Sequence, residues 1–98
     1  MSGSQISSAG LDPRRRRVLF RCWHRGMREM DLIMGGFADG EIANLTDAEM
    51  DDLEVLMEEP DPDIFKWLTG AADLPAEFDT PVFRRMKQFH THFAPKFA

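Results

Sequence analysis

Leu45-Thr46-Asp47-Ala48-Glu49-Met50 spells the start of a helix. Thr46 is placed to accept from the backbone N–H of Glu49, and the Glu49 side chain can reach back to the N–H of Thr46. Two donors that a helix start leaves orphaned thereby find partners. Leu45 and Met50 fall one residue before the cap and four after it, where two apolar side chains staple the entry angle. Downstream, Met50, Leu53, Leu56 and Met57 recur at helical spacing, while Asp51, Asp52, Glu54, Glu58 and Glu59 mostly point outward. Pro60 stops the run.

The same logic extends in both directions. Asp61 is read as the cap of a fourth helix with Pro62 at its first position, carrying Ile64, Phe65, Trp67 and Leu68 and ended by Gly70. A loop, 71–79, leads to Thr80-Pro81 and a fifth helix striped with Val82, Phe83, Met86, Phe89 and Phe93. Upstream, Met27, Met30, Ile33, Met34 and Phe37 mark a second helix that Gly35-Gly36 weakens and that stops short of Gly40. The first helix has Asp12 as cap, Pro13 at its first position and Leu19, Cys22 and Trp23 on its apolar face. Gly26 is read as its terminator, in the left-handed conformation. Alternating β-branched runs are missing from the sequence, so no sheet is expected. The reading is all-α: a compact five-helix bundle with short loops over residues 12–93, a flexible tail at 1–11 and a frayed end at 94–98.

Ninety-eight residues make one domain, and 43% hydrophobic content is that of a globular chain. Apolar runs reach only three or four residues, so no membrane insertion is expected. The single cysteine, Cys22, excludes an internal disulfide and suits a reducing compartment. The Ser/Gly-rich start lacks the apolar core of a secretory signal. The net charge of −5 hides a segregation. Residues 1–28 carry seven Arg against Asp12; 29–79 carry sixteen acids against Lys66; 80–98 carry four bases and no acid. Either basic ends pack beside an acidic middle, or the surface is bipolar and orients a partner.

Chemistry is sparse. Cys22 and His24, like His90 and His92, stand two residues apart and diverge on a helix, and their spacing matches no zinc pattern. Phosphate-cradling glycine motifs are missing, and no nucleophile–base pair can be named, so neither an enzyme nor a chain with its own cofactor is expected. Cys22, on an apolar face, reads as an inert core residue. Met30, Met34, Met50, Met57 and Met86 read as core filler. Arg14–Arg17 invites a nucleic-acid reading, against which the acidic middle would repel phosphates.

One run remains: Arg25-Gly26-Met27-Arg28-Glu29, where the basic segment meets the acidic one. It reads as a helix-to-helix corner, with Arg25 near one helix end, Glu29 near the next helix start, and a pairing of the two across the turn. The alternative is an exposed recognition patch, with Arg's fork of donors on display and a glycine bare to a partner's backbone. The residues alone leave both open.

Two stretches together resemble the succinate dehydrogenase assembly factor family, the small flavinylation factors called SdhE. Arg25-Gly26-Met27-Arg28-Glu29-Met30-Asp31 matches that family's RGMxE-(L/M)-D signature, and Asp61-Pro62-Asp63-Ile64-Phe65-Lys66-Trp67-Leu68 looks like its DPDLFxWL segment. The resemblance runs from about Pro13 to Phe89. It implies an assembly factor, not an enzyme. Such a factor binds the flavoprotein subunit of succinate dehydrogenase, in bacteria also that of fumarate reductase, and promotes covalent attachment of FAD there while holding no cofactor itself. It maps partner binding onto Arg25, Gly26 and Glu29, with Met27, Arg28 and Asp31 as neighbours. A free monomer is expected, in a bacterial cytoplasm or, in a eukaryote, a mitochondrial matrix. The competing readings are a generic acidic helical adaptor and a nucleic-acid-binding regulator using Arg14–Arg17.

Overall fold

The computed structural model describes residues 10–92; the expectations for the first residues of the tail, for Phe93 and for the frayed end lie outside that range. Five α-helices follow in order: α1 Pro13–Trp23, α2 Arg28–Glu41, α3 Asp47–Met57, α4 Asp61–Thr69 and α5 Pro81–His92. Short 3-10 turns, Ile42–Asn44 and Ala76–Phe78, sit in the α2–α3 and α4–α5 connections, and no strand occurs among the described residues. The all-helical expectation holds.

Local signals account for most boundaries. Asp12 accepts from the N–H of Arg15 at 2.9 Å with Pro13 as the first helical residue. The capping box forms in both directions, Glu49 N–H to Thr46 Oγ1 at 3.1 Å and Thr46 N–H to Glu49 Oε1 at 2.9 Å. Gly70 ends α4 at φ 84°, the left-handed region that a residue without Cβ enters cheaply.

The core is one cluster. Val18, Leu19 and Cys22 of α1 face Met30, Ile33, Met34 and Phe37 of α2, and Leu53, Leu56, Ile64, Leu68, Val82 and Met86 close it from the other helices. All five methionines read as core filler are buried. The longest packed seam runs between α1 and α2, and α5 lies against α2 and α3.

Two glycine expectations are corrected here. Gly40 lies inside α2, not beyond it: it is exposed, and a Cβ there would stand 3.5 Å from the Phe89 ring of α5. Gly35 is more than a weak point. The Trp23 indole lies flat on it, so that a Cβ at residue 35 would fall 2.6 Å from both Cε2 and Cε3 of Trp23. The glycine sets how closely α1 and α2 approach.

The segregated charges meet across the bundle. Arg14 pairs with Asp51 at 2.5 Å and Glu54 at 2.6 Å, Arg21 with Glu58 at 2.8 Å, and Arg85 bridges Glu41 and Glu49. Arg15 pairs with Asp12 at 3.0 Å and also grips backbone: its Nε donates to the Ile42 carbonyl at 3.0 Å and its Nη2 to that of Leu45, closing the end of α2 and the turn after it. Basic ends packed beside an acidic middle therefore describe much of this surface.

The caps make stability acid-sensitive. The Arg15 backbone N–H holds the Asp12 carboxyl below its ordinary range, and the Thr46 N–H, with help from Arg85, does the same for Glu49. A carboxylate whose folded pKa is depressed contributes fully above its unfolded value, here 3.8 and 4.5, and loses that contribution as pH falls through the folded value. Melting temperature is expected to be level down to about pH 5 and to decline below it. Glu49→Gln should remove part of that decline.

Candidate functional site

The corner between α1 and α2 is built from three directions. Helix α1 ends earlier than the glycine suggested, at Trp23 with His24 as its last half-helical residue, and Gly26 does not take a left-handed φ. What holds the turn is Asp61, the first residue of α4, which is 7% exposed. Its Oδ1 accepts from Arg25 Nε at 2.7 Å and lies 2.6 Å from Arg25 Nη2. Its Oδ2 accepts from the backbone N–H of Gly26 at 2.6 Å and of Met27 at 3.1 Å. Asp61 is therefore not the cap of its own helix, a position that Pro60 occupies without a side-chain bond. It satisfies the amides that precede α2, whose own cap residue, Met27, has no side chain to offer.

Arg25 completes the clamp. Its Nη1 donates to the Met57 carbonyl at 2.9 Å and its Nη2 to that of Glu59 at 3.2 Å, the open C-terminal end of α3. A cation there and an anion at the start of α4 each suit the adjoining helix dipole. The Arg25 side chain is only 10% exposed and is turned to Asp61, so the suggested pairing with Glu29 does not form. The backbone N–H of Arg25 is taken by the Asp31 carboxylate. Lysine could not reproduce this set, because the bonds radiate from three nitrogens of one planar group.

The six residues singled out in the sequence thus separate into two layers. Arg25 and Asp31 hold the turn, and Met27 packs against the core. Gly26, Arg28 and Glu29 are exposed. On α2, Arg28, Glu29 and the 48% exposed Leu32 share one outward face. A Cβ at Gly26 would lie 3.4 Å from Asp61 Oδ2, so the bare backbone at this point both admits the carboxylate from inside and leaves the outer surface open. Beside it runs a cleft of about 410 Å³ whose walls include Phe20, His24, Glu59 and Pro60. Sequence reasoning missed Asp61 as a member of the site. The available signal was its place between two prolines, where its carboxylate is not required by its own helix start.

No group of His, Cys, Asp and Glu suited to a metal ion occurs among the described residues, and no helix there is long and apolar enough to cross a membrane. Cys22 is fully buried, and burial pushes its thiol up to about 12 despite the nearby Arg25 and Arg21 charges. At pH 8 the thiol stays protonated and is a poor nucleophile. A disulfide reagent should therefore leave the folded protein unlabelled for as long as the core stays closed and label it at once in denaturant.

Fold and site together define a small all-helical domain that presents a braced, charged corner. Comparison places it further. The family model described as flavinator of succinate dehydrogenase matches residues 16–90. The chain is 42% identical over 85 residues to an FAD assembly factor SdhE of Acetobacter pasteurianus, covering 87% of this chain and 78% of that protein. It is 39% identical over 74 residues to a mitochondrial succinate dehydrogenase assembly factor 2 of Dictyostelium discoideum, covering 76% of this chain and 52% of that protein. The chain belongs to the succinate dehydrogenase flavinator family. It spans about half of the Dictyostelium relative and 26% of one from Mycosarcoma maydis.

Proposed function

We propose that this chain is an assembly factor that binds the flavoprotein subunit of succinate dehydrogenase and promotes covalent attachment of FAD to it. Membership of the flavinator family carries the reading, and the exposed face of the corner supplies the surface for it. Gly26, Arg28 and Glu29 meet the client, and Arg25, Met27 and Asp31 contribute by holding that face in shape. The chain holds no cofactor and catalyses no step of its own. It is a monomer when free, and a fumarate reductase flavoprotein is a second client. It works in a bacterial cytoplasm or, in a eukaryote, in the mitochondrial matrix.

Covalent flavinylation requires a client histidine held against the flavin while negative charge builds on the ring system. That chemistry belongs to client and flavin. A rigid helical domain can assist by binding the client conformer in which the site is correctly closed. The help is limited by the difference in affinity between client states: moving a 1:99 equilibrium to 99:1 takes a preference of about 10⁴-fold. The factor must leave afterwards, which fits a moderate interface with a polar rim such as Arg28 and Glu29 would provide.

The test is reconstitution. Purified flavoprotein subunit lacking covalent flavin is incubated with FAD, with and without this chain, and covalent flavin is followed by in-gel fluorescence. Faster or more complete attachment is expected with the chain present. Equal rates with and without it, for a client that accepts FAD, would reject the reading.

A further inference from the structure

The outward face of α1 is not accounted for by the corner. Arg16 and Arg17 are exposed, and neither has a carboxylate partner among the described residues, whereas Arg14, Arg15, Arg21 and Arg25 all do. Residues 1–9 and 93–98 contain no Asp or Glu, so those segments cannot neutralise the pair through a side chain. One turn along the same face stands Phe20, 62% exposed. Its ring stacks on His24 at 3.9 Å and 20°, an arrangement that fixes the ring outward instead of folding it into the core. Arg16, Arg17, Phe20 and Arg21 line a groove of about 440 Å³ whose walls are almost entirely carbon, the aromatic ring and the arginine stems. Phe20 and Arg21 also line the cleft beside Gly26, so the groove and the corner form one continuous surface.

We propose that this face of α1 receives an acidic segment of the flavoprotein client, with an apolar side chain seated on Phe20 and flanking carboxylates on Arg16 and Arg17. The proposal rests on the client-binding reading above and extends it from the corner to a second contact. Two adjacent unpaired cations on a chain of net charge −5 favour an acidic occupant at this face, while the acids of the middle segment repel it where they are exposed. The acids of residues 29–79 weigh against a nucleic acid, whose phosphates extend well beyond so small a patch. The α1 contact acts chiefly on encounter and orientation, and the corner on the docked state.

The test uses the full chain and the purified succinate dehydrogenase flavoprotein subunit without covalent FAD, with association and dissociation followed by stopped flow over a range of salt. The R16E/R17E variant is expected to keep the wild-type melting temperature, to associate about tenfold more slowly at low salt and to show a shallower salt dependence. Phe20→Ser is expected to dissociate faster at unchanged salt dependence. If both variants associate and dissociate as the wild type does, the proposal is overturned while the client-binding reading stands. If the wild type itself does not bind the client, both fall. A labelled DNA duplex serves as the other arm. Duplex binding that R16E/R17E abolishes, with client binding unchanged, would make the face a nucleic-acid site and also overturn the proposal.

Discussion

Asp61→Ala should destabilise the chain by about 3–5 kcal/mol, because removing one member of a buried ion pair leaves the other charged and without compensation. The Asp61 carboxylate also accepts from the Gly26 and Met27 amides, which lose their partner in the same step. A domain of this size has roughly 5–15 kcal/mol in total. Each kcal/mol is worth roughly 4–8 °C, so the melting temperature should fall by well over ten degrees. Urea denaturation with a double-mutant cycle separates the contributions. Arg25→Ala alone should also be costly, since it strips the Met57 and Glu59 carbonyls of their donor and leaves Asp61 buried and unpaired. Arg25→Ala added to Asp61→Ala should cost much less than it does alone, because the charge that was left stranded is removed. Additive losses would mean that the two side chains act separately and that the clamp is not a unit.

Gly35→Ala and Gly36→Ala should move stability in opposite directions. Alanine is favoured over glycine inside a helix by about 1 kcal/mol, and both residues lie within α2. At Gly36 the new Cβ would meet only Phe89 Cε2, at 3.8 Å, an ordinary contact, so the helical gain should survive and stabilise by about 0.5–1 kcal/mol. At Gly35 the Cβ would lie 2.6 Å from two atoms of the Trp23 ring and closer still to a third. The indole would have to move away from α2, opening the longest seam of the core, and overpacking of this kind costs about 1–3 kcal/mol. Replacing Trp23 by Ala in the Gly35→Ala background should cost less than the same replacement in the wild type, because the clash goes with the ring. Thermal melts of the four variants decide it. Stabilisation by Gly35→Ala would show that the two helices are free to separate without loss.

What the sequence disclosed was local. Thr46 and Glu49, Asp12 and Pro13, and Gly70 act within one turn of themselves, and periodicity alone placed Met30, Met34, Leu53 and Met86 inside. The errors came where a residue answers to something distant. Asp61 has the composition of a helix cap, yet its partners are 34 to 36 residues away, and no spacing rule reaches that far. Gly40 and Gly35 looked like interruptions because the rings beside them, Phe89 and Trp23, belong to other helices. Arg25 was legible as important but not as buried: a cation beside a glycine reads as surface until the carbonyls it satisfies are known. The structure ties Arg25 and Asp31 into the turn and leaves Gly26, Arg28 and Glu29 exposed.

That division can be tested most directly at Glu29, exposed on α2 and outside the Arg25–Asp61 clamp. Glu29→Lys reverses a charge in the first turn of α2 and should lower the melting temperature by only a few degrees, about 4–8 °C per kcal/mol lost, leaving the protein folded in the assay. In the reconstitution with the succinate dehydrogenase flavoprotein subunit and FAD, the same variant should lose most of its stimulation of covalent flavin attachment. A folded Glu29→Lys protein that stimulates attachment as fully as the wild type would contradict the assignment of the outer face of the corner to the client.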